Sequence, residues 1–93
     1  MALLCTDRLF NEDESIVFES LDSNKWLLQV SIISNTLAIF DLFVSPDKLN
    51  WFYFRTINMD NLNNTFEFQT SYNKFKLVCK SAECTVSIAY GLV

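Results

Sequence analysis

WLLQVSIISNTLAIFDLFVSPDKLNWFYF, residues 26–54, decides the fold. Its first part alternates. Trp26, Leu28, Val30 and Ile32 fall on one side; Leu27, Gln29, Ser31 and Ile33 fall on the other. Period two is the spacing of a strand, and the first set is the core face. Ser34-Asn35 predicts a tight turn. Thr36–Val44 is apolar on both faces, with Leu37, Ile39 and Phe43 against Ala38, Phe40, Leu42 and Val44, and only Asp41 interrupting. A strand apolar on both faces is either central in its sheet or covered by another chain. Ser45–Asn50 predicts a loop, because Pro46 cannot continue a central ladder and Asp47 can accept from the amides that follow it. Trp51–Thr56 predicts the next strand, with Trp51, Tyr53 and Arg55 facing one way and Phe52, Phe54 and Thr56 the other. A helix over residues 26–44 is opposed by the β-branched and aromatic content and by the Ser-Asn break.

Upstream, Ser15–Ser20 predicts a short strand with Ile16 and Phe18 on one face, followed by a turn at Leu21–Asn24. Residues 1–14 read as an N-terminal arm or an edge strand, ending in the acidic turn Asn11–Glu14, and residues 15–93 as the sandwich domain. Downstream, Ile57–Asn64 is a polar connection. Thr65–Thr70 follows with Phe66 and Phe68 inward, then Lys74–Lys80 with Phe75, Leu77 and Cys79 on one face. Cys84–Tyr90 closes with Cys84, Val86, Ile88 and Tyr90 inward. About seven strands and no helix predict an all-β chain: an antiparallel β-sandwich with jelly-roll or immunoglobulin-like connections.

The composition narrows the chemistry. In 93 residues there are nine Phe and no His, and 51% of the residues are hydrophobic. One domain is the expectation, and its size leaves a single core marginal enough for an oligomer to help. Absence of His removes the commonest general base and most zinc sites. The net charge of −4 comes with scattered Lys and Arg and no basic stripe, so nucleic acid is not expected as a partner. The opening MALLCTDRLF does not read as a signal peptide, and no run approaches a membrane span; a soluble protein made in a cytoplasm is the expectation. Glu12-Asp13-Glu14 reads as a solvated turn rather than a carboxylate pair or calcium loop. Cys5, Cys79 and Cys84 read first as small buried thiols, although Cys79 and Cys84 would be close enough to bridge if a hairpin made them face each other.

The residues Gln29 and Val30, then Ser45, Asp47, Asn50 and Trp51, then Phe75, Leu77 and Val78, and finally Thr85-Val86-Ser87-Ile88 follow a recognisable order. Over roughly residues 26–92 the chain resembles a small β-sandwich module of tailed-phage virion proteins. Lys48 departs from it, standing where that family usually has Gly, which implies a differently shaped loop. The resemblance implies a head decoration, head fibre, or neck or tail adapter protein, with no catalysis and no cofactor. It implies structural roles for Ser45, Asp47, Asn50 and Trp51, with Asp47 holding the turn and Trp51 plugging the core.

The expected function is therefore that of a non-enzymatic virion structural protein, made in the host cytoplasm, binding other virion proteins and its own copies. The candidate interface residues are Leu3, Leu4, Leu9 and Phe10 of the N-terminal segment, with Phe40, Leu42, Val44, Phe52 and Phe54. The alternative is a carbohydrate-binding module for host recognition, which needs exposed coplanar aromatics from the Trp51–Phe54 run. No metal and no membrane partner is expected.

Overall fold

The structure is a computed structural model and describes residues 2–20, 27–34, 36–59, 63–81 and 83–92. The readings at Trp26, at the Leu21–Asn24 turn and at Asn35 lie outside these residues. Eight strands run in order: β1 (Ala2–Phe10), β2 (Ser15–Glu19), β3 (Leu27–Ser34), β4 (Ile39–Ser45), β5 (Phe52–Asn58), β6 (Asn63–Gln69), β7 (Lys74–Cys79) and β8 (Cys84–Leu92). The eighth strand, beyond the seven expected, is β1: the N-terminal segment takes the edge-strand place and pairs along β8.

The antiparallel pairs are β4 with β5, β3 with β6, β2 with β7 and β1 with β8. This is one long hairpin rolled up on itself, the jelly-roll connection. Rolling sets β8 beside β3 and β7 beside β4. The result is two four-stranded sheets, ordered β1-β8-β3-β6 and β2-β7-β4-β5. The consecutive strands β3 and β4 therefore do not form a local hairpin, and the Ser34–Ile39 corner carries the chain from one sheet to the other. The crossings β1 to β2, β5 to β6 and β7 to β8 lie at the same end. They are tied side by side: Asp13 N–H donates to the Cys79 carbonyl (2.7 Å), Lys80 N–H to Ile39 (2.8 Å) and Met59 N–H to Ala38 (3.0 Å).

The core lies between the sheets, as the alternation predicts. From one sheet come Leu28, Val30, Ile32, Phe68, Val86 and Ile88; from the other come Phe18, Phe40, Leu42, Val44, Phe75 and Leu77, all buried. Rings link the layers: Phe10 meets Phe40 edge-on at 5.8 Å, Phe68 meets Phe75 at 6.0 Å, and Phe18 lies 4.8 Å from Tyr90. Ile57 and Met59 also enter the core, so β5 runs on to Asn58 through residues expected to be a polar connection.

With one Gly in the chain, hydroxyls do much of the work at strand ends. Ser34, Ser45 and Thr70 are buried there, and each accepts from the amide two residues on: Thr36 (3.2 Å), Asp47 (3.1 Å) and Tyr72 (3.1 Å). A Ser or Thr side chain used this way imitates a backbone turn. Among the described residues, no buried side-chain N or O atom lacks a partner.

Truncating a ring between the sheets should cost far more than truncating a loop side chain. Phe40→Ala is expected to lower unfolding free energy by about 3–5 kcal/mol, and Leu49→Ala by less than about 0.5 kcal/mol. Urea denaturation followed by far-ultraviolet circular dichroism measures both.

Candidate functional site

The Ser45–Trp51 turn delivers the chain onto β5. Asp47 organises it. Its Oδ1 accepts from Leu49 N–H and Asn50 N–H, both at 2.8 Å, and from the Ser45 hydroxyl at 3.1 Å; its Oδ2 accepts from Asn50 Nδ2 at 2.9 Å. Ser45 Oγ in turn accepts from Lys48 N–H at 2.8 Å. These donors, the Asn50 and Leu49 amides first, hold the Asp47 carboxyl at a pKa of about 2, below its ordinary 3.8. Lys48 adopts φ of 64°, the left-handed conformation a Gly takes readily. Lys48 thus bears the steric cost of a left-handed backbone in this turn. Lys48 Nζ meets Glu19 Oε1 at 3.3 Å, in the open.

Beyond the turn, β5 is the edge of its sheet. Its register with β4 slips once: Leu42 pairs with Arg55, but Phe43 pairs with Tyr53. Phe54 is the extra residue of a bulge. The bulge overturns the expected alternation. Tyr53 and Thr56 share the outer face, where Tyr53 Oη contacts Thr56 Oγ1 and Thr56 donates to Asp41 Oδ1 at 2.7 Å. Phe54 turns towards the other sheet and lies 5.6 Å from Phe68. Phe52 stacks on Tyr72 at 6.3 Å.

The rim that results is aromatic and open. Phe52 is 51% exposed, Tyr53 59% and Phe54 36%, and Leu49 beside them is 82% exposed. The other three edges are guarded. β1 has two register irregularities and Asp7 at positive φ; β2 has five residues; β6 shows Asn63, Thr65, Glu67 and Gln69 to solvent. Bulges, short length and polar side chains keep edges from pairing with other chains. β5 has a bulge but only Arg55 as a charge.

Trp51 does not plug the core. It is half-buried on the outer face, where Lys76 Nζ stands 4.8 Å from its ring centroid and 5.3 Å from that of Phe43. Phe43 and Tyr53 meet at 75°, so these rings make no flat platform. Four candidate interface residues are also placed differently from expectation. Phe10, Phe40, Leu42 and Val44 are buried between the sheets and offer nothing to a neighbour. β4 is apolar on both faces because it is central, flanked by β7 and β5. Leu3 and Leu9 are exposed on β1, and Leu4 packs partly against the core. Of the candidates on β4 and β5, only Phe52 and Phe54 reach the surface. Tyr53, expected there only as part of a sugar-stacking aromatic run, joins them, as do Tyr72 and Leu49; for Leu49 an apolar residue within a polar turn is the available signal.

The acidic turn is structural. Glu14 Oε1 accepts from Asn11 N–H (2.9 Å) and Asn11 Nδ2 (2.7 Å), which lowers its pKa, and Asp13 pairs with Lys80 at 2.9 Å. The cysteines are free thiols. Cys79 and Cys84 are buried with their sulfurs 3.7 Å apart, and burial, with Cys79 adding to it, pushes the Cys84 thiol up to about 11. Among the described residues, no three His, Cys, Asp or Glu side chains converge to hold a metal. Comparison with family models, curated proteins and solved structures finds no match for this chain.

Two outcomes follow for the turn. The folded pKa of Asp47 lies below its unfolded value. Its contribution to stability is therefore complete above about pH 4 and is lost as pH falls through about 2. Between these values the wild type should lose stability more steeply than Asp47→Asn, which keeps an acceptor oxygen but does not titrate; urea midpoints across that range report the difference. At Lys48, Gly should be at least as stable as Lys, whereas a β-branched Val should cost about 1 kcal/mol or more, because left-handed φ penalises a Cβ.

Proposed function

We propose that this chain is a non-enzymatic structural module that binds neighbouring proteins, its own copies included, through the β5 rim. The observation that carries the reading is the contrast among the four sheet edges: three are guarded, and the fourth presents Phe52, Tyr53 and Phe54. Aromatic side chains supply most of the binding energy at protein interfaces, because they bury large area at small entropic cost. An exposed edge strand adds main-chain donors and acceptors for a partner strand. The placing of the module in a tailed-phage virion, as head decoration, head fibre or adapter, rests on the sequence resemblance of residues 26–92. Jelly rolls serve in viral capsids and in lectins alike, so the fold by itself does not choose between those uses.

The test is association. Wild-type protein should self-associate with rising concentration in sedimentation and light-scattering measurements, and it should co-sediment with virus particles that carry it. Phe52→Lys with Tyr53→Lys, which charges the rim, should abolish both while leaving the circular dichroism spectrum unchanged. A wild type that stays monomeric at its highest soluble concentration and does not attach to particles would end the proposal.

A further inference from the structure

Cys79 ends β7 in one sheet and Cys84 begins β8 in the other, with four residues of sequence between them. Both are buried, and their sulfurs are 3.7 Å apart. The register seats Cys79 opposite Phe40 and Cys84 opposite Phe10, and those two rings pack on each other at 5.8 Å. The cysteines therefore face each other across the sandwich beside an aromatic pair. The backbone of Cys79 is held on both sides, its N–H donating to the Glu14 carbonyl (2.8 Å) and its carbonyl accepting from Asp13 N–H (2.7 Å). Closing the sulfurs to the disulfide length of about 2.05 Å asks for a movement of about 1.6 Å. The third thiol, Cys5, is on β1 with its sulfur turned to the Val86 carbonyl at 3.7 Å.

We propose that Cys79 and Cys84 are a modification site: a dithiol that a peroxide converts into a disulfide joining the end of β7 to the start of β8 across the two sheets. One thiolate attacks a peroxide oxygen. The O–O bond breaks, a sulfenic acid remains on that sulfur, and the departing hydroxide takes up the proton that the first thiol lost and leaves as water. The second thiol attacks this sulfur. An S–S bond forms, the S–O bond breaks, and the hydroxyl departs as water with the proton of the second thiol. In sum, two thiols and one hydrogen peroxide give one disulfide and two waters, the sulfurs losing the two electrons that the peroxide gains. Burial of both sulfurs makes the pair slow to react in the folded protein, so the bridge forms when local opening exposes them or while the chain folds. In a reducing cytoplasm the pair stays as thiols, and outside it the bridge persists.

The full chain serves for the test, in two arms: folded protein treated with hydrogen peroxide, and protein refolded from denaturant in its presence. Remaining thiols are then alkylated, and the protein is weighed intact and digested with trypsin. Cleavage after Lys80 separates the two cysteines, so a bridge leaves Leu77–Lys80 attached to residues 81–93 until a reductant is added. The expected result in at least one arm is that linked pair, an intact mass lower by about 2 Da before alkylation and one free thiol in place of three. Cys5→Ser should bridge in the same way, with no free thiol left. Three unreacted thiols in both arms, a link through Cys5, or sulfinic acid without a link would each overturn the proposal.

Discussion

The strongest constraint on this molecule is that β3 and β4, adjacent in sequence, must bury their apolar faces in one core from opposite sheets. Leu28, Val30 and Ile32 supply one face; Phe40, Leu42 and Val44 supply the other. Each such side chain contributes about 1.5–3 kcal/mol by leaving water. That separation prevents a local β3–β4 hairpin. Each strand must then find its ladder partners elsewhere, and those partners are far away along the chain: β3 lies between β6 and β8, and β4 between β5 and β7. The rolled hairpin is the arrangement in which every one of these demands is met at once.

Rolling a hairpin into two separate sheets leaves four edges, and the chain treats them unequally. The edge formed by β1 is irregular, since Asp7 at positive φ and two register slips break its row of donors and acceptors. The β5 edge has one bulge, and that bulge spreads aromatic side chains around the rim rather than hiding them. Trp51 and Phe43 on the adjoining outer face are crossed by the Lys76 ammonium. The exposed aromatic side chains Phe52, Tyr53, Phe54 and Tyr72 therefore gather at one margin of one sheet, while exposed aliphatic ones such as Leu3, Leu9, Val17, Ile33 and Leu37 are scattered over the rest of the surface.

Much of the sandwich is legible in the sequence, because half-buried strands write their environment as a period of two. That holds for β3, β6, β7 and β8. It fails at β5, where the run Trp51–Phe54 leading into it is aromatic throughout and nothing marks Phe54 as the unpaired one. It fails at β1 for a different reason: register slips break the alternation, and the partner strand lies some eighty residues away. The candidate site was legible in part. Phe52 and Phe54 reach the surface, but a strand apolar on both faces reads the same whether it is central or covered by another chain. Phe40, Leu42 and Val44 belong to the first case. Asp47 was legible because its chemistry is local, and the left-handed conformation of Lys48 was not, because no side-chain pattern encodes φ.

The pairing of β1 with β8 has a mechanical side. Ala2 lies opposite Tyr90, so the two ends of the described chain emerge together from neighbouring antiparallel strands. Tension applied between Ala2 and Leu92 would load the ladder one rung at a time, peeling β1 away like a zip. The same force applied along the strands in opposite directions would have to shear every rung together. A sandwich tethered at both ends would therefore yield early and in small steps, whereas one gripped across its β5 rim would carry load through the sheet itself.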